Sequence, residues 1–213
     1  MIGYHKKFVF VHIPKNGGTS VSRVLRHYAL PPHKYLVHWA ARRMGPLGHK
    51  DPFAIHMDHS TALDCRNILG PERFDEFFTF TIVRNPWTRL YSSYRYSQML
   101  EGRTYHEEAR KYDFESFVDF LADNEPLVPQ KGFVADENGQ IMVDFVGKLE
   151  RRDEDFAHIC ARIGINRRLP HKNKSRRSGR DVFTPRAIER IGQLYAEDIA
   201  EFGYTPDQVL AAL

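Results

Sequence analysis

An α/β fold with a mostly parallel central sheet flanked by helices is predicted by two strand, turn and helix units and by an alternation of strand and helix patterns that continues to the C-terminal region. In the first unit, Phe8-Val9-Phe10-Val11-His12-Ile13 is a short run of aromatic and β-branched residues, the pattern of a strand buried on both faces. Pro14 stops it, and Lys15-Asn16-Gly17-Gly18 forms a turn. Val21, Val24, Leu25 and Tyr28 then recur at i, i+3, i+4 and i+7, one face of an amphipathic helix with Thr19 or Ser20 as its cap. In the second unit, Phe77-Phe78-Thr79-Phe80-Thr81-Ile82-Val83 reads as a strand that breaks at Arg84-Asn85-Pro86, and Trp87, Leu90, Tyr91 and Tyr94 follow at helical spacing.

Between the two lie a Pro-, Gly- and His-rich stretch (residues 31–52), an apolar segment at Phe53-Ala54-Ile55 that is a candidate third strand, and a helix through Ala62, Cys65 and Leu69 that stops at Gly70. Further on, Phe114, Phe117, Val118 and Leu121 predict a helix and residues 141–146 a strand. Phe156, Ile159, Cys160 and Ile163 predict another helix, ending at Gly164. The last helix is capped by Thr184, opens on Pro185, carries an apolar stripe of Ile188, Ile191, Tyr195, Ile199 and Phe202, and closes at Gly203. With 213 residues, the chain is expected to form one domain over residues 1–213.

The composition, 42% hydrophobic and 27% charged, excludes a disordered chain. No stretch approaches 18 consecutive apolar residues, so no transmembrane segment is expected. The N-terminus runs almost directly into the strand at Phe8, so neither is a signal peptide, and the expected location is the cytoplasm. Cys65 and Cys160 fall on apolar helix faces and read as core residues. The formal net charge of +4 is concentrated in residues 167–180, where half the residues are basic and none is a carboxylate. That segment either stays a solvated loop or acts as a flap whose Lys174 or Arg176 closes over an anionic ligand.

In a parallel α/β sheet, ligands bind beyond the carboxyl ends of the strands, where a starting helix aims amide N–H groups at them. Residues 15–20 sit at such a junction. Gly17 and Gly18 allow close backbone approach to an anion, Lys15 adds a point charge, and Asn16, Thr19 and Ser20 complete the loop with polar side chains. A nucleoside-triphosphate-hydrolysing P-loop has its lysine after the glycines. Here the lysine comes first, and the strand of residues 77–83 ends in Arg84, not in an acidic magnesium ligand.

Ile13-Pro14-Lys15-Asn16-Gly17-Gly18-Thr19-Ser20 resembles the 5′-phosphosulfate loop of sulfotransferases that use 3′-phosphoadenosine-5′-phosphosulfate (PAPS). Phe80-Thr81-Ile82-Val83-Arg84-Asn85-Pro86-Trp87-Thr88-Arg89-Leu90-Tyr91-Ser92-Ser93-Tyr94 resembles their 3′-phosphate motif. Weaker similarity extends through residues 143–150, 169–175 and 198–204. The likeness is to the carbohydrate branch, of heparan sulfate 2-O, HNK-1 and chondroitin type, and its bacterial relatives. It implies a P-loop-NTPase-like sulfotransferase fold, PAPS as sulfuryl donor, and a carbohydrate or small hydroxylated metabolite as acceptor, with no metal and no nucleic-acid partner. It also implies that Arg84 and Ser92 bind the 3′-phosphate, roles that suit a guanidinium fork and a hydroxyl donor. Arg89 and Arg95, on the same helix, read as an exposed ion-pairing face.

Sulfuryl transfer to a hydroxyl calls for a base, most often histidine. In Ile55-His56-Met57-Asp58-His59-Ser60-Thr61-Ala62, two histidines follow an apolar run and precede a helix, and Asp58 could orient either ring. The resemblance favours His59, through its position just before a Ser/Thr-Ala step, with His56 as the alternative; Lys15 would act on the leaving group. His12 is expected beneath the glycine loop. The competing function classes are an atypical nucleotide kinase or NTPase and a non-catalytic anion-binding protein.

Overall fold

The computed structural model describes residues 1–30, 59–170 and 180–211. The candidate strand at Phe53-Ala54-Ile55, the alternative base His56, and Lys174 and Arg176 lie outside the described residues. The chain divides into two compact units, one built from Met1–Val83 and Gly132–Pro170, the other from Arg84–Lys131 and His171–Leu213.

The first unit holds the sheet. Among the described residues its strands are β1 (Ile2–Gly3), β2 (Phe8–Val11), β3 (Phe78–Val83) and β4 (Phe145–Lys148), in the order β1-β2-β3-β4. β1 pairs antiparallel with β2, and the β2–β3 and β3–β4 ladders are parallel, which confirms the predicted α/β class with a mostly parallel sheet. Every residue of β2 and β3 is buried, as their nearly continuous aromatic and β-branched runs require. Alternation along the strands puts Phe8, Phe10, Phe78, Phe80 and Ile82 on one face. They pack there with Val21, Leu25 and Ala29 of α1 (Gly18–Ala29) and with Phe156, Ile159 and Cys160 of α8 (Arg152–Arg162). The aromatic rings stack across the strands, with Phe10 and Phe80 centroids 5.3 Å apart. Of the two threonines buried in β3, Thr79 and Thr81, the second is satisfied by donating from Oγ1 to the Val11 carbonyl at 2.8 Å.

The strand expected over residues 141–146 begins later, at Phe145. Ile141 instead bridges Ala135 across a turn in which Asp136 Oδ1 accepts from the N–H groups of Asn138 and Gln140. The ladder to β3 then opens on Asp144, whose Oδ2 accepts from Thr79 N–H at 2.7 Å and Thr79 Oγ1 at 2.9 Å. The turn chemistry at Asp136 and the carboxylate at Asp144 divide a hydrophobic run that periodicity reads as one element. α2 (Ala62–Leu69) and α3 (Pro71–Glu76) complete the unit's N-terminal part. Cys65 and Cys160 are buried thiols, as expected for core residues.

The second unit is helical. α4 (Pro86–Met99) opens on Pro86 with Asn85 as N-cap, α5 (His106–Lys111) follows, and α6 (Phe114–Asp123) buries the predicted Phe114, Phe117, Val118 and Leu121. The helical turn α7 (Lys131–Val134) lies where the chain passes from the second unit back to the first. The single helix expected from Pro185 onward is two, α9 (Pro185–Leu194) and α10 (Ala196–Phe202), broken at Tyr195 (φ −121°, ψ 31°). Thr184 caps the first and Gly203 (φ 61°) ends the second, as predicted. The break has an energetic counterpart in what it buries: Tyr195 and Asp198 both turn into the unit interior. α11 (Gln208–Ala211) ends the described chain.

Candidate active site

The loop that leaves β2 turns on two residues in the left-handed region, Lys15 (φ 70°) and Gly17 (φ 73°). Glycine adopts this conformation at no steric cost, whereas for a lysine it costs about 1 to 2 kcal/mol. The surroundings hold it there: Asn16, buried beside Lys15, donates from Nδ2 to the Ile82 carbonyl at 2.9 Å and ties the loop to the carboxyl end of β3. Because the turn is complete by Gly17, α1 starts at Gly18, with Gly17 as its N-cap and no side-chain cap. The expected cap by Thr19 or Ser20 is therefore not formed. Both lie inside the first turn, where Ser20 N–H donates to the Gly17 carbonyl at 3.1 Å. The first-turn amides of Gly18 and Thr19 have no acceptor four residues back within the helix and sit at its positive dipole end.

Side chains close on the loop from two directions. A Cβ on Gly17 would lie 2.8 Å from Leu149 Cδ1, and one on Gly18 would overlap Cδ2 and Nε2 of His12. His12, the residue after β2, thus packs against the glycine loop as expected. Its ring stacks on Phe10 (centroids 5.7 Å, 17°) and meets the His59 ring at 5.5 Å and 48°. His59 is exposed and left-handed (φ 65°). Two residues further on, Thr61 caps α2 through a capping box: Thr61 Oγ1 accepts from Asp64 N–H at 3.0 Å, and Asp64 Oδ2 accepts from Thr61 N–H at 2.8 Å. The capped helix start fixes where His59 leaves the chain. Lys15, Asn16, Gly17, Gly18, Thr19 and Ser20 are therefore brought together in the first unit with His59, which lies one imidazole away from Gly18.

In the second unit, Arg84 is half-buried and its Nε donates to Thr88 Oγ1 at 3.0 Å. Thr88 and Ser92 are four residues apart on α4 and share one face, so the Arg84 guanidinium lies along the stripe that carries Ser92. Thr88, buried and bonded through Oγ1 to the Asn85 carbonyl at 3.1 Å, is a link that sequence reasoning passed over.

Arg89 reverses its expected role. It is 2% exposed and its Nη1 donates to the Val128 carbonyl at 2.9 Å. Burial pushes its guanidinium pKa down, and the neighbouring Tyr195 and Asp198 oppose that shift. The exposed-face reading failed because Asp198, the compensating carboxylate, is remote in sequence; Arg95 is exposed, as expected. Burial also pushes the Tyr195 phenol up to about 12 from 10.0. A raised phenol pKa stabilises the fold fully below pH 10, and the contribution is lost as pH rises through about 12. In urea titrations at rising pH, the wild type should lose on the order of 3 kcal/mol over that window through Tyr195. Tyr195→Phe should lack this component.

The comparisons with known proteins follow the same course along the chain. The model of the Sulfotransferase family matches residues 1–205. Over 192 residues the chain is 25% identical to carbohydrate sulfotransferase 14 of Danio rerio, covering 77% of this chain and 48% of that protein. It therefore spans about half the length of that relative. Over 107 residues it is 27% identical to an uncharacterised protein of Archaeoglobus fulgidus, covering 49% of this chain and 82% of the other. Among the described residues, no helix is long and apolar enough to cross a membrane. The family match runs from β1 past the end of α10, through both the glycine loop and the Arg84 helix start, and the chain belongs to the Sulfotransferase family.

Proposed function

We propose that this chain transfers the sulfuryl group of PAPS to a hydroxyl acceptor, a carbohydrate or another small hydroxylated metabolite. The observation that carries the reading is the meeting, in one unit, of the Lys15–glycine loop with the His12 and His59 rings. An anion cradle and a proton acceptor at one helix start are the two parts that sulfuryl transfer to a hydroxyl needs. The carbohydrate part of the reading is supported by the likeness to the carbohydrate sulfotransferase of Danio rerio.

The residues fit the donor's chemistry. The loop bears no side chain at Gly17 and Gly18, so a phosphosulfate can approach the first-turn amides directly, and Lys15 supplies a cation beside them. In this reading His59 takes the proton of the acceptor hydroxyl as its oxygen bonds to sulfur. The bond between sulfur and the 5′-phosphate oxygen breaks in line, and that oxygen leaves with the electron pair as part of 3′-phosphoadenosine-5′-phosphate. Lys15 and the amides of Gly18 and Thr19 stabilise the charge that develops there. Arg84 and the Ser92 hydroxyl take the 3′-phosphate, which distinguishes PAPS from ATP.

The test is transfer of labelled sulfuryl from PAPS to a panel of sugars, phenols and other alcohols. Lys15→Ala should weaken binding of 3′-phosphoadenosine-5′-phosphate by roughly tenfold or more and cut transfer to every acceptor used by the wild type. Wild-type affinity and transfer in Lys15→Ala would remove the loop from the donor site.

A further inference from the structure

Arg84 is the first residue beyond the last β3–β4 register pair, Val83 with Lys148. Its backbone is met by a side chain. Gln130 Oε1 accepts from Arg84 N–H at 2.8 Å, and Gln130 Nε2 donates to the Arg84 carbonyl at 2.9 Å. The carboxamide thus pairs with Arg84 as a residue of a neighbouring strand would, satisfying a donor and an acceptor at once. Its two contacts fix the peptide planes on both sides of the Arg84 Cα and so fix the direction in which the Arg84 side chain leaves the chain. The Nε contact to Thr88 then fixes the guanidinium itself.

Gln130 is in turn immobilised. It is fully buried, its N–H donates to Asp198 Oδ2 at 2.8 Å, and the next amide, Lys131 N–H, donates to Asp198 Oδ1 at 2.9 Å. Asp198 is also fully buried, and Arg89 holds the same segment from the other end through the Val128 carbonyl. Lys131 Nζ pairs with Glu201 at 2.9 Å, one turn beyond Asp198 on α10. Two buried charged side chains and one buried amide are costly to bring out of water. Here all three converge on the main chain at Val128, Gln130, Lys131 and Arg84.

We infer that Gln130 is a positioning residue for Arg84, and that the Asp198–Gln130–Arg84 chain sets the preference of this protein for a nucleotide carrying a 3′-phosphate. The inference rests on the reading of Arg84 as the 3′-phosphate ligand. A purely structural Gln130 would weaken all nucleotides together when replaced. A positioning Gln130 weakens only those that bear the group Arg84 contacts.

The experiment is calorimetric titration of 3′-phosphoadenosine-5′-phosphate and of adenosine 5′-monophosphate, which lacks the 3′-phosphate, into wild type, Arg84→Ala, Gln130→Met and Gln130→Asn. Methionine keeps the length and bulk but removes both contacts to Arg84. Asparagine keeps a neutral carboxamide but, one methylene shorter, withdraws it from Arg84 and carries the test if the methionine variant does not fold. In either variant the preference for the 3′-phosphorylated nucleotide should fall by roughly tenfold, while affinity for the monophosphate stays within about twofold. An unchanged preference, or a parallel loss of both affinities, overturns the positioning role and leaves the Arg84 reading standing. A wild type without the preference, or an Arg84→Ala variant that retains it, overturns the Arg84 reading and this inference with it.

Discussion

His59→Ala is expected to lower turnover by about 10²- to 10⁴-fold, the range spanned by a positioned general base, while affinity for 3′-phosphoadenosine-5′-phosphate stays close to wild type. The separation of the two effects follows from where His59 sits. It is exposed, its ring meets the His12 ring beside the loop, and it lies two residues before the capped start of α2. Removing its side chain therefore takes away a proton acceptor and leaves Lys15, Gly17 and Gly18 as they are. The capping box at Thr61 and Asp64 is untouched, so the fold should be kept. Single-turnover rates with labelled PAPS, measured beside calorimetric titration of the product nucleotide, check both halves. Wild-type turnover in His59→Ala would assign the base elsewhere.

Gly18→Ala should be the most damaging single change in the loop, for a reason opposite in kind. The added methyl would overlap the His12 imidazole, and that ring has nowhere easy to go, stacked on Phe10 and in contact with His59. Either the ring leaves Phe10 or the start of α1 moves away from β2. Overpacking of this sort costs about 1 to 3 kcal/mol; the first route disturbs the ring against which His59 sits, and the second displaces the first-turn amides. Donor binding should weaken by more than roughly tenfold, with turnover falling as well, because the His12 ring also seats His59. Gly17→Ala offers a comparison. There the obstruction is the end of the Leu149 side chain, 2.8 Å away, which can rotate, and the penalty comes chiefly from the left-handed backbone (φ 73°). Chemical denaturation and product-nucleotide titration of the two variants would rank them, and a silent Gly18→Ala would contradict the packing described.

The features legible in the sequence are those encoded locally. The buried runs at residues 8–11 and 78–83 are nearly continuous in apolar residues, so their place in a parallel sheet was readable directly. Thr184-Pro185 and Asn85-Pro86 mark helix starts through chemistry contained within two residues. Gly17 and Gly18 announced a close approach, and the His12 ring is what makes Gly18 necessary. What stayed hidden depends on partners far along the chain. Arg89 looks like any charged helix residue until Asp198 and the Val128 carbonyl are brought to it. Gln130 sits in a segment with no motif of its own, and its pairing with the Arg84 backbone is a tertiary contact with no periodic signal. The start of α1 was misplaced by a turn residue, because a lysine with φ 70° is a conformation that composition does not advertise. The break at Tyr195 was missed for a related reason: the apolar stripe continues through it, and only the burial of Tyr195 and Asp198 shows why the helix is interrupted.

The proposed donor roles of Lys15 and of Arg84 both rest on binding of a 3′-phosphorylated adenine nucleotide. The measurement that tests it most directly is calorimetric titration of 3′-phosphoadenosine-5′-phosphate and of ATP into the wild-type protein, each with chelator and with magnesium. Under the proposed function the first binds tightly, unaffected by chelator, and ATP binds much more weakly under both conditions. Tighter binding of ATP that requires magnesium would contradict it and place the loop among the nucleotide kinases and hydrolases.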